Sequence, residues 1–120
     1  MPDIPVWNKC NNKCLMCANT SGFESNTPGD YSLARQAARL ERHLRGAAAY
    51  RKNASVPGAW NLTGGEPTLN PDFIKAVAYY RRRLPGAELT LLSNGRRFAD
   101  PAFAAGFCAA ARPPFRLAVS

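Results

Sequence analysis

The sequence predicts an α/β fold built on a parallel sheet, and three observations predict it. Short runs rich in β-branched, aromatic and leucine residues alternate with longer stretches whose apolar residues recur every three or four positions. Two of the helical stretches open on a cap-then-proline pair, Asn70-Pro71 and Asp100-Pro101. The first three strand candidates each run into a segment of unusual composition: Cys10 to Cys17, Gly64-Gly65-Glu66-Pro67, and Ser93-Asn94-Gly95. The order β-α-β-α-β-α-β, with a helix between successive strands, implies parallel strands joined by right-handed crossovers.

Taken in order, Ile4-Pro5-Val6-Trp7-Asn8 is short, apolar and partly β-branched, and reads as a first strand. A polar, turn-rich segment follows Cys17 and lasts to Asp30. From Tyr31 to Tyr50 the period becomes helical: Leu33, Ala37, Leu40 and Leu44 share a face, with Asp30 or Ser32 as N-cap. Residues 51–58 form a loop and Ala59-Trp60-Asn61-Leu62-Thr63 a second strand. A second helix starts at Asn70-Pro71, buries Phe73, Val77, Tyr80 and Leu84, and stops at Pro85-Gly86. Leu89 to Leu92 is a third strand; a third helix from Asp100-Pro101 to Ala111 turns Phe103 and Phe107 to one side. Phe115 to Ser120 is a fourth strand.

The chain of 120 residues is about one small domain, and 46% hydrophobic content is enough for a core. Sixteen Lys and Arg against eight Asp and Glu leave a net charge of +8, which favours acidic partners: an acidic redox protein, an acidic peptide or nucleic acid. Arg81-Arg82-Arg83 points in three directions around a helix and reads as a solvated surface. No apolar run approaches the ~20 residues of a membrane span. Met1-Pro2-Asp3-Ile4 lacks the basic and apolar regions of a secretory leader, so a reducing cytoplasm is expected, where clustered cysteines serve metals rather than disulfides.

Cys10, Cys14 and Cys17 are spaced Cys-x3-Cys-x2-Cys, so one loop can aim three thiolates at one metal site. No fourth ligand lies nearby. A zinc site completed by Cys108 or His43 is one alternative, although Cys108, among Phe107, Ala109 and Ala110, reads as a buried small hydrophobe. A basic nucleic-acid-binding module is another, and a split or inactive enzyme a third. In parallel α/β sheets ligands bind beyond the carboxyl ends of the strands, where all three unusual segments fall.

Cys-x3-Cys-x2-Cys after a first strand, with Leu62-Thr63-Gly64-Gly65-Glu66-Pro67 at the second, resembles the radical S-adenosylmethionine (radical SAM) superfamily. The resemblance spans Val6 to Ser120 and implies the first part of a partial (β/α)6 TIM-like barrel, truncated: residues 1–120 as an N-terminal fragment of the core domain, with strands 1–4 and helices 1–3. It implies that Cys10, Cys14 and Cys17 each ligate an iron of a [4Fe-4S] cluster, and that S-adenosyl-L-methionine chelates the remaining iron. Gly64, Gly65 and Glu66 match the segment that meets the methionine amino group, Met16 the adenine contact and Ser120 the ribose contact. Ser93-Asn94-Gly95 resembles the Thr-Asn-Gly that follows the third strand in this family. The loop departs from the common pattern at Asn12 (for Leu), Lys13 (for Arg) and Met16 (for an aromatic), without loss of a ligand.

The implied reaction is reductive cleavage of S-adenosylmethionine to a 5′-deoxyadenosyl radical that abstracts hydrogen from substrate. The implied partner is a flavodoxin- or ferredoxin-like electron donor. The N-terminus that leads straight into strand one is similar to that of peptide-modifying members, which suggests a peptide or protein substrate. His43, on a helix, has no role in this chemistry.

Overall fold

The computed structural model describes residues 3–17, 31–50 and 58–120, the side chains of 47–50 excepted. The turn-rich segment expected after Cys17, the proposed Asp30 cap and most of the loop before the second strand lie outside the described residues. Four strands, β1 (Asp3–Trp7), β2 (Ala59–Gly64), β3 (Glu88–Ser93) and β4 (Phe115–Val119), alternate with three helices, α1 (Leu33–Tyr50), α2 (Phe73–Arg83) and α3 (Pro101–Ala111). All three strand pairings are parallel and the spatial order is β1-β2-β3-β4. Among the described residues the sheet is open, with β1 and β4 at its edges, so a closed barrel is not formed.

Strand alternation decides what each face carries. Ile4 and Val6, Trp60 and Leu62, and Leu89 and Leu91 form one core with Leu40 of α1, Phe73, Val77 and Tyr80 of α2, and Phe103 and Phe107 of α3. All three helices therefore cover one face, as right-handed crossovers in consecutive strand order require. The other face carries a polar row: Asp3, Asn61, Thr90 and Arg116 stand in one register line across the four strands. There Asn61 donates to Asp3 at 2.7 Å, and Arg116 sits 3.5 Å from Glu88. The edge strand β4 leaves Leu117 and Val119 exposed.

Local chemistry explains the element ends. Ser32 Oγ accepts from the Arg35 amide, the capping role expected of it, and Asp72 reaches across from α2 to accept from the Leu33 amide at 3.0 Å. Asp100 caps α3 as expected, accepting from the Ala102 amide at 3.0 Å. Helix α2 begins later than Asn70-Pro71 suggests. Asn70 is buried instead as a clamp, its amide donating to the carbonyls of Val6 and Tyr31, both at 2.8 Å. Before it, Pro67–Leu69 makes a short 3-10 turn.

Two further expectations are corrected. Arg81 is not part of a solvated triplet: it is 2% exposed and its guanidinium gathers carbonyls at the ends of four segments. It donates to Ala111, to Leu84 (3.1 Å), Pro85 (3.3 Å) and Ala87 (2.7 Å), and to Pro114 (2.7 Å). Cys108 is exposed rather than buried. Helix α3 buries Phe103, Phe107 and Ala111, and Cys108, one residue past Phe107, is rotated by ~100° from that stripe.

Candidate metal and cofactor site

The carboxyl ends of the strands converge on one open cleft of about 390 Å³. Cys10, Cys14, Cys17 and Met16 line it from the loop after β1, Gly64, Gly65 and Glu66 from the turn after β2, Ser93 and Asn94 from the end of β3, and Ser120 from the residue after β4. Every residue that the family resemblance singles out for metal or cofactor is thus on one wall or another of the same space. Neither Cys108 nor His43 is: His43 packs edge-on against Trp60, at 5.2 Å between ring centres.

The turn after β2 is built by a backbone that only glycine tolerates. Gly64 has φ +135°, and a Cβ there would lie 2.0 Å from the Trp7 carbonyl oxygen. The close approach lets the Gly65 and Glu66 amides donate to the carbonyls of Trp7 (2.7 Å) and Lys9 (2.8 Å), tying the turn to the end of β1. Those two N–H groups are thereby engaged with β1 and its following loop and are not available as donors to the cleft. After β3, Gly95 takes the left-handed φ of 78° that begins the next turn.

Glu66 does more than the sequence suggests. Its carboxylate is 1% exposed and holds two segments together. Oε1 accepts from the Thr68 amide (3.2 Å), the Thr68 hydroxyl (2.6 Å) and the Ser93 hydroxyl (2.8 Å), and Oε2 from the Asn94 amide (2.7 Å). Four donors compensate its burial, and among the described residues no cationic side chain pairs with it. Ser93 Oγ accepts in turn from the Gly95 amide at 3.0 Å.

The cysteine loop is held unevenly. Cys10 Sγ accepts from the Asn12 amide at 3.4 Å. The Cys17 amide donates to the Cys14 carbonyl at 3.2 Å, a local turn that carries Leu15 and Met16 outward at 97% and 95% exposure. None of the four cysteines is in a disulfide. The three thiols share the cleft, but among the described residues no three His, Cys, Asp or Glu side chains are drawn close enough to hold one ion. The donor set still fits an iron–sulfur cluster in kind: three cysteine thiols outside any disulfide line the cleft together with the Gly64-Gly65 turn, and no histidine lines it.

The model of the radical SAM superfamily matches residues 4–119. The chain belongs to the radical SAM superfamily. Neither the curated proteins nor the solved structures supply a significant match. Among the described residues no helix is long and apolar enough to cross a membrane.

Contributors that sequence reading missed are polar and lie beside the recognised residues. Thr68, fully buried, serves Glu66 from two positions on. Asn11 accepts from the Asn94 side-chain amide at 2.7 Å, and Arg97 donates to the Thr68 carbonyl at 3.2 Å. Asn12 lines the cleft between two cysteines, and that place between ligands was the available signal.

Proposed function

We propose that this chain is the cluster- and S-adenosylmethionine-binding part of a radical SAM enzyme, the first four strands of a partial (β/α)6 barrel, acting on a peptide or protein. The observation that carries the reading is the meeting of three thiols, a glycine turn and the ends of β3 and β4 in one cleft. Cys10, Cys14 and Cys17 hold three irons. The acceptors of Gly64 and Gly65 receive the methionine amino group, and Glu66 fixes that turn and adds its negative charge nearby. Met16 meets the adenine, and Ser93, Asn94 and Ser120 present polar groups to the nucleoside. When bound, the cluster and S-adenosylmethionine supply a carbon-centred radical able to abstract hydrogen. The protein's part is to orient and to keep water out of the cleft.

The electron donor proposed is an acidic flavodoxin- or ferredoxin-like protein. It is favoured by the net charge of +8 and by exposed Lys13 and Arg96 near the cleft mouth. Anaerobic reconstitution of the chain with iron and sulfide tests the core of this. Brown protein with iron and sulfide bound, lost in Cys10→Ala, Cys14→Ala and Cys17→Ala but kept in Cys108→Ala, is expected. A colourless protein holding one zinc would sink it.

A further inference from the structure

We infer that Asn11 and Asn94, locked by Glu66, are positioning residues that set Cys10 in place before any metal arrives. The inference rests on the reading that the three thiols serve one cluster. Cys10 is flanked by two tethers. On one side the Lys9 carbonyl accepts from the Glu66 amide at 2.8 Å. On the other, Asn11 Oδ1 accepts from Asn94 Nδ2 at 2.7 Å, across a sequence separation of 83 residues. Asn94 is itself immobilised, its backbone amide on Glu66 Oε2 at 2.7 Å and its Oδ1 accepting from the Arg96 amide at 3.1 Å. That last bond fixes which end of the Asn94 amide faces Asn11: with the oxygen engaged, the NH2 group is presented.

Lys9, Glu66, Asn94 and Asn11 therefore close a circuit through three rim segments, and Cys10 lies on it. Its Sγ is oriented further by the Asn12 amide at 3.4 Å. Cys14 and Cys17 instead share a turn of their own. A ligand already in place turns capture by the second and third thiols into intramolecular steps, so the cluster assembles from Cys10 outward.

Alkylation of the metal-free protein by iodoacetamide, with each cysteine followed by mass spectrometry, tests this without any cofactor. Asn11→Ala removes the acceptor and leaves Glu66 and the turn after β3 untouched. Its Cys10 is expected to react about threefold to tenfold faster, the shift that loss of one neutral hydrogen bond produces. Cys14, Cys17 and Cys108 keep their rates. Asn11→Asp retains the acceptor and shows no acceleration. A Cys10 rate within about twofold of wild type in Asn11→Ala, or a rise shared by all four cysteines, overturns the inference. Wild-type protein that takes up no iron would instead count against the proposed function and leave the alkylation pattern to decide the brace.

Discussion

Replacing Glu66 with glutamine isolates the charge and one acceptor of the carboxylate at nearly constant volume. The amide oxygen can keep the three donors now on Oε1: the Thr68 amide, the Thr68 hydroxyl and the Ser93 hydroxyl. The amide nitrogen then stands where Oε2 accepts the Asn94 N–H at 2.7 Å, donor against donor. One charge-assisted bond is lost, one half-buried N–H is left unpaired and three bonds weaken, a total of about 3 kcal/mol. With a urea slope of about 1.5 kcal/mol per molar, the unfolding midpoint falls by about 2 M. Trp7 and Trp60, 7% and 1% exposed, report the transition by fluorescence. Glu66→Ala, which also opens space in the turn, costs more. A Ser93→Ala partner in a double-mutant cycle with Glu66→Gln should show a coupling of about 1 kcal/mol. A midpoint shift below about 0.3 M in Glu66→Gln would refute the view that this carboxylate organises the rim.

Other perturbations have equally definite outcomes. Gly64→Ala forces a Cβ to within 2.0 Å of the Trp7 carbonyl oxygen at a φ of +135°, and a cost of about 2–4 kcal/mol is expected in the same urea titration. Arg81→Met strips donors from five carbonyls and should cost about 3–5 kcal/mol, with Arg81→Lys recovering only part because an ammonium cannot serve that fork. Hydrogen bonds from Arg83, then from Tyr79, hold the Glu41 carboxyl down at about 2 from the usual 4.5. The unfolded chain therefore binds the proton more readily, and the stabilisation is complete above 4.5 and fades as pH falls toward 2. Thermal melts of wild type and Glu41→Gln, apart at neutral pH, should converge across that acid window.

What the sequence makes legible here is chemistry tied to backbone necessity. The cysteine spacing and the Gly64-Gly65 pair are readable because few other structures need them, and Asp100-Pro101 because a cap acts within its own turn. Burial of polar residues is harder to see. Arg81 follows Phe73 and Val77 at helical spacing and so stands on the buried stripe of α2, yet beside Arg82 and Arg83 it looks like one of a solvated run. Gln36 hides in the same way, fully buried one turn before Leu40, its amide on the Val6 carbonyl at 3.1 Å. Cys108 errs in the opposite direction: its neighbours in sequence are apolar, but the period of α3 turns it outward. The tether between Asn11 and Asn94 joins an exposed and a half-buried residue far apart in the chain, and no local pattern announces it.

Arg81 sits at the end of the sheet opposite the cysteines, where β3 and β4 begin. The five steps along β3 from Glu88 to Ser93 span roughly 17 Å, beyond the range at which substitutions usually couple. Losses at the two rims should therefore sum, and one end of the molecule can drift without unsettling the other. Substitutions in the loops around the cysteine cleft therefore leave the guanidinium at the far end holding the starts of β3 and β4.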